Sequence, residues 1–71
     1  MNLVNAISYI DSNSRIGTNK KEKLKIYLKE LFKINTDRKI SENLINHLSY
    51  LRISELVYRI NLLIKHLELK K

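Results

Sequence analysis

The fold is decided by residues 40–69, which read ISENLINHLSYLRISELVYRINLLIKHLEL. Ser41, followed at once by Glu42, is typical of a helix start, because serine caps the free N–H groups of a first turn and the helix dipole favours an acid there. Ile40 precedes this cap and is placed to pack against Ile45 as a hydrophobic staple. The pattern predicts a helix that begins at Ser41.

The apolar face of this segment changes direction near its middle. Its first half has a face made of Leu44, Ile45, Leu48 and Leu51. Its second half has another, made of Ile53, Leu56, Val57, Ile60, Leu63, Ile64 and Leu67. At 3.6 residues per turn, the two faces differ in direction by roughly 120°. The helix therefore either breaks near Arg52 or continues and buries its two faces in different neighbours.

We favour the break, because Ile53-Ser54-Glu55 repeats the pattern of Ile40-Ser41-Glu42 and makes Ser54 a second candidate N-cap. The last helix is then expected over about residues 54–69. It carries further large side chains, Tyr58, Leu62 and Leu69, on the side opposite its main apolar face. A helix that is apolar on two sides is usually packed between two neighbours, which in a short chain indicates a central position or a subunit interface.

The first part of the chain is also predicted to be helical, because proline is absent and glycine occurs once, so the usual signals of β-hairpins are missing. A helix is expected over about residues 2–12. Its apolar face is predicted to consist of Leu3, Val4, Ile7 and Ile10. A loop follows, in which Gly17 can adopt the positive φ of a turn.

The second helix is predicted to begin with Asn19 as its N-cap, since Glu22 follows three residues later as in a capping box. It should end near Ile34, before a loop at residues 35–37. Its apolar face is predicted to consist of Leu24, Tyr27, Leu28, Leu31 and Phe32. Lys21, Lys25, Lys29 and Lys33 recur every four residues along the neighbouring side.

These elements predict an all-α fold, a compact three- or four-helix domain that spans residues 1–71, with the last two helices arranged as in a helix-turn-helix. A chain of 71 residues buries only about 60% of the surface that it exposes when unfolded. Disulfides cannot compensate, because there is no cysteine. We therefore expect a homodimer through the C-terminal helix, in which Ile26, Tyr58, Leu62 and Leu69 form the interface.

The composition argues against an enzyme. No nucleophile beside a base and no paired carboxylates can be recognised, and one glycine cannot form a phosphate-binding loop. His47 and His66 are the only histidines and are too far apart in sequence to suggest a metal site. We expect no cofactor, metal or small-molecule substrate. The longest apolar runs have three residues, far short of the roughly 20 of a membrane span, and with no signal peptide we expect a cytoplasmic protein.

The net charge of +7 favours an anionic partner, although it also serves solubility. Our first hypothesis is a regulator of transcription or of a mobile element, from a phage or plasmid, that binds double-stranded DNA through a helix-turn-helix-like pair of helices. Arg52, Tyr58 and Arg59 lie near its reading end. The phosphate contacts would come from Lys21, Lys25, Lys29 and Lys33.

The alternative hypothesis is a module that binds an acidic protein, as an inhibitor, an antitoxin-like protein or an adaptor. An apolar helix face ringed by lysines would carry this function. Ile26 supports it, because this side chain points away from the main apolar face of its helix. The same surface would serve a homodimer.

Overall fold

A computed structural model of the chain describes residues 1–34 and 39–69, and the predicted loop at residues 35–37 lies outside them. The described residues form four helices and no strand, so the all-α prediction is confirmed. The helices are α1 (Leu3–Ser12), α2 (Thr18–Ile34), α3 (Glu42–Ser49) and α4 (Ile53–Leu69). No helix within the described ranges is long and apolar enough to cross a membrane.

Helix α1 is capped by Asn2, whose side-chain oxygen accepts a hydrogen bond from the Asn5 N–H at 2.8 Å. Its buried residues are Ala6 and Ile10. Val4 was predicted to face the core and is largely exposed. The prediction was wrong because the small side chain of Ala6 lies at the centre of the buried face, and Val4 points well away from that direction.

The α1–α2 turn is shaped by Asn13, whose side-chain oxygen accepts from the Arg15 N–H at 3.0 Å. Ile16 anchors the turn, because its side chain is buried in the core. Gly17 does not have the predicted positive φ. Its carbonyl oxygen instead accepts the Lys21 N–H at 2.9 Å, so that α2 starts at Thr18 and the predicted cap, Asn19, lies inside the helix.

Helix α2 is the centre of the fold, since α1, α3 and α4 all pack against it and α4 does so most extensively. Its buried residues are Leu24, Leu28 and Leu31, all from the predicted apolar face. Tyr27 and Phe32, from the same face, pack against the core while remaining partly exposed. The periodicity of α2 thus predicted its buried side correctly.

Helix α3 begins as predicted: the Ser41 hydroxyl oxygen accepts from the Leu44 N–H at 3.1 Å. Ile40 and Ile45 are both fully buried in one cluster. The chain also breaks as predicted, because α3 ends at Ser49 and α4 begins at Ile53.

The start of α4 differs from the prediction by one residue. The Arg52 carbonyl oxygen accepts the Leu56 N–H at 3.1 Å. Ser54 therefore lies within the first turn of α4 and is not the N-cap. The apolar residue before it, Ile53, joins the helix as well.

The main core joins all four helices with the segments between them. It consists of Ala6, Ile10, Ile16, Leu24, Leu28, Ile40, Ile45, Leu48 and Leu56. The start of the chain closes over it, since Met1 and Ile40 exchange two hydrogen bonds between their backbone groups, at 2.6 and 3.1 Å. Within the described residues, α3 makes no substantial contact with α4, and a helix-turn-helix arrangement is not confirmed.

Candidate nucleic-acid interface and apolar helix face

Four of the six lysines of α2 recur at every fourth position as a stripe, and two of the four are paired with a carboxylate. Lys25 Nζ lies 2.9 Å from a carboxylate oxygen of Asp11 in α1, and Lys21 donates to the Asp11 carbonyl oxygen at 3.0 Å. Lys33 pairs with Glu30 at 3.1 Å. Lys29 is exposed, with no ion pair among the described residues. The stripe is therefore less positive than its lysines alone suggest.

The other predicted nucleic-acid contacts lie elsewhere. Arg59 Nε is 3.3 Å from a carboxylate oxygen of Glu55, one turn earlier in α4, and Arg52 and Tyr58 are exposed. Helices α1 and α4 both pack on α2 but make no substantial contact with each other in the described structure. The lysine stripe borders α1 through Asp11. The described contacts thus link the stripe to α1, whereas Arg52 directly precedes α4 and Tyr58 and Arg59 lie on it.

The predicted interface residues are all exposed apolar side chains. Leu62 is 49% exposed and Leu69 is 77% exposed, and Ile26 and Tyr58 are also exposed. Tyr58, Leu62 and Leu69 share one side of α4, whereas Ile26 belongs to α2. The main surface is therefore on α4, and Ile26 contributes from a different helix.

The second half of α4 has little cover from the rest of the protein. None of the side chains of residues 61–69 is buried in the described structure. Ile53 and Ile64, which belong to the predicted core stripe, are also partly exposed. Burial of α4 is limited to Leu56 and Ile60. Much of its apolar surface is thus left to solvent or to another molecule.

Helix α4 also differs from the rest of the chain in charge. It carries Arg59 and Lys65 against Glu55 and Glu68, so its formal charge is zero. Helix α2 has six lysines and two glutamates, hence a formal charge of +4. The positive charge of the protein and its exposed apolar helix are therefore on different elements.

A cleft of about 580 Å³ lies where α1 ends, α2 begins and α3 ends. Its described lining contains two cations, Arg15 and Lys20, and no acidic residue. Two tyrosines and several polar residues complete the lining: Tyr9, Ser12, Asn13, Ile16, Gly17, Asn46, Ser49 and Tyr50. We call this feature the basic cleft.

Hydrogen bonds between the helices hold the walls of the basic cleft in place. Lys20 Nζ donates to the Ser49 carbonyl oxygen at 2.8 Å, which joins α2 to the end of α3. The Tyr9 hydroxyl donates to the Asn46 side-chain oxygen at 3.2 Å, which joins α1 to α3. Tyr50, in contrast, is 86% exposed at the rim. The walls of the cleft are thus held by polar contacts, and the ring of Tyr50 is open to solvent.

Sequence reasoning did not find Arg15, Lys20 and Tyr50 as a group. They come from three segments, the α1–α2 turn, the first turn of α2 and the residue after α3. One local signal was present, since Tyr50 lies off the predicted apolar face, between its residues Leu48 and Leu51, and just before the predicted helix break. Only the packing of the helices brings it beside the two cations.

The two histidines are both exposed, His47 on α3 and His66 on α4. Among the described residues, no three histidine or acidic side chains are grouped closely enough to hold a metal ion.

The chain matches no known protein-family model, and neither the curated proteins nor the solved structures contain a match to it.

Proposed function

We propose that this protein is a small regulator that binds nucleic acid through the basic side of α2 and the adjoining α1–α2 turn. The observation that carries the proposal is the separation of charge: α2 has a formal charge of +4, whereas α4 is neutral. A charge that served only solubility could be spread over the whole surface. Cations concentrated on one part of the fold attract polyanions, of which nucleic acid is the most common.

Phosphate contacts are expected to dominate this binding. Three lysines of the stripe follow one another along α2 at intervals of one turn, about 5.4 Å: Lys25, Lys29 and Lys33. This spacing suits contacts with a sugar-phosphate backbone. Arg52 and Tyr58 are also exposed, but they belong to α4 and the residue before it rather than to α2. Binding should therefore be strongly salt-dependent and only weakly sequence-specific, because phosphate contacts carry no sequence information of their own.

The proposal is tested by charge reversal on the two helices. Lys29→Glu changes an exposed residue of α2, and Lys65→Glu makes the same change at an exposed residue of the neutral α4. Binding of a fluorescent duplex and of a fluorescent single strand is measured by anisotropy at several salt concentrations. We expect micromolar binding that Lys29→Glu weakens, with the slope against the logarithm of salt concentration reduced by about one unit.

Lys65→Glu should have the smaller effect, although it changes the net charge by the same amount. Because Lys65 lies on the same side of α4 as Leu62, light scattering checks that this variant keeps the mass of the unchanged protein. Equal weakening by the two substitutions would contradict a binding surface on α2, since it would mean that only total charge matters. Absence of binding by the unchanged protein at low salt would overturn the proposal itself.

We further propose that α4 joins two copies of this chain. Two molecules that each carry +7 repel one another, and contact is least unfavourable through a surface without net charge. Helix α4 is such a surface, and it presents Tyr58, Leu62 and Leu69 on one side. The two cations of α4 are balanced by two acids, so it should attract a polyanion less than α2 does, which distinguishes the second surface from the first.

The exposed apolar side chains support this second proposal. Leu62 is 49% exposed and Leu69 is 77% exposed on the same side of α4. The protein is also flat, with principal extents of 38 × 26 × 16 Å. Pairing through α4 would cover apolar surface that the fold itself leaves open. An acidic protein bound to the apolar side of α4 is the alternative partner, although α4 itself carries only one lysine, Lys65.

A further inference from the structure

We propose that the basic cleft binds one nucleotide of a single-stranded nucleic acid, whose base stacks on Tyr50 and whose phosphate is bound by Arg15 and Lys20. This inference rests on the proposed nucleic-acid binding and gives it a preferred substrate, the single strand. It also identifies a second binding surface beside the lysine stripe of α2.

Tyr50 is suited to stacking because its ring is exposed while its backbone is held. The Tyr50 N–H donates to the His47 carbonyl oxygen at 3.2 Å, and the next residue, Leu51, donates to Leu48 at 3.1 Å. Leu51 packs against the core and Leu48 is buried within it. A base can therefore cover the ring without a change in the fold. Stacking of bases on aromatic side chains is the usual means of binding single strands with little sequence preference.

Arg15 and Lys20 supply the positive charge on the other side of the cleft. Lys20 is positioned by its hydrogen bond to the Ser49 carbonyl oxygen, and its ammonium group has two further N–H donors. Arg15 is exposed, and its guanidinium group can bind a phosphate through two parallel hydrogen bonds. The nearest acids along the chain, Asp11 and Glu22, are not part of the lining, and Asp11 already binds Lys25. An anion in the cleft would thus meet no opposing carboxylate from the described lining.

The polar lining and the volume indicate a nucleotide-sized ligand. A volume of about 580 Å³ is within the range of small-molecule sites, about 300–1,000 Å³. The Asn46 side-chain oxygen accepts from Tyr9, which leaves the amide N–H groups as donors toward a base. In a duplex, the bases are stacked on each other and cannot cover Tyr50. A single strand can present an unstacked base.

The test compares removal of the Tyr50 ring with a conservative replacement of it. Tyr50→Ala removes the ring at the cleft, whereas Tyr50→Phe keeps the ring and removes only the hydroxyl group. Binding of a ten-nucleotide fluorescent oligothymidine and of the corresponding thymidine–adenosine duplex is measured by anisotropy at fixed salt. We expect Tyr50→Ala to weaken single-strand binding about tenfold or more, with little change for the duplex. Tyr50→Phe should retain most of the single-strand binding, because its ring can still stack on a base.

Arg15→Gln should also weaken single-strand binding and should lower its salt dependence. Circular dichroism confirms that each variant keeps its helices, which is expected because all these side chains are exposed. If Tyr50→Ala binds the single strand as the unchanged protein does, the cleft inference is overturned. The proposed function would survive that result, provided that Lys29→Glu still weakens binding. Failure of the unchanged protein to bind either nucleic acid would instead overturn the proposed function.

Discussion

Ser41 caps the first turn of α3, where its hydroxyl oxygen accepts from the Leu44 N–H at 3.1 Å. Ser54 has the same sequence neighbours, an isoleucine before it and a glutamate after it, but lies inside α4. Comparing the same substitution at the two serines therefore separates the free energy contributed by an N-cap hydrogen bond from the effect of replacing a serine. They form a matched pair on the surface of one protein.

We predict that Ser41→Ala lowers the free energy of unfolding by about 1 kcal/mol, the usual cost of losing an N-cap side chain. Ser54→Ala should change it by less than about 0.5 kcal/mol, because the residue is exposed and alanine favours the helix. Urea denaturation followed by circular dichroism measures both. A loss of similar size for the two variants would show that the Ser41 hydrogen bond contributes nothing of its own.

At the scale of the element, α4 has two sides with different surroundings. Leu56 is fully buried against the core, whereas Leu62, on the other side of the helix, is about half exposed. Both residues are leucines in one helix and can receive the same substitution. They differ in whether the side chain packs in the core of the single chain or lies on its surface.

We predict that Leu62→Glu yields a helical monomer, because a carboxylate at the proposed interface would be desolvated on association. Leu56→Glu should unfold the protein, because it buries an unpaired charge in the core. Light scattering gives the mass of each variant, and circular dichroism gives its helix content. If Leu62→Glu unfolds as well, then Leu62 stabilises the single chain and the proposed interface is wrong.

Helix α2 shows how one element serves two purposes. Leu24, Leu28 and Leu31 form its buried side, and the lysine stripe occupies another side at intervals of one turn. The spacing of both sets follows from the helical repeat, so the sequence was sufficient to identify them. The partners of the lysines were not predictable in this way, because Asp11 belongs to α1 and meets Lys25 only when the two helices pack.

At the scale of the whole molecule, the protein is flat, and its smallest extent of 16 Å is about one and a half helix diameters. Such a shape leaves α4 covered on one side only. A small chain without disulfides commonly gains stability by association. The proposed dimer would make folding and association interdependent.

We therefore predict that the melting temperature rises by several degrees when the protein concentration is raised a hundredfold, since dimer formation stabilises only the folded chain. The Leu62→Glu variant should melt at one temperature throughout. The measurement is differential scanning calorimetry on both proteins in the same buffer. A constant melting temperature for the unchanged protein, together with a monomeric mass, would exclude the dimer over that concentration range.

The sequence by itself determined the helical class of the protein, the cap at Ser41, the break before α4 and the buried side of α2. These features depend on hydrogen bonds and side-chain spacings within a few neighbouring residues, so a local pattern is sufficient to predict them. The errors at local scale were small: the carbonyl groups that accept the first helical hydrogen bonds of α2 and α4 belong to Gly17 and Arg52, each two residues before the predicted N-cap.

Only the tertiary structure decided which apolar residues are buried, which lysines are paired and where a cleft is formed. The sequence of α1 allowed either Val4 or Ala6 to be buried. The packing of α1 on α2 and α3 buries Ala6. The basic cleft brings together Arg15, Lys20 and Tyr50 from segments that are up to 35 positions apart in the chain. Contacts at that distance depend on how whole helices pack, and the spacing of residues within one helix carries no information about them.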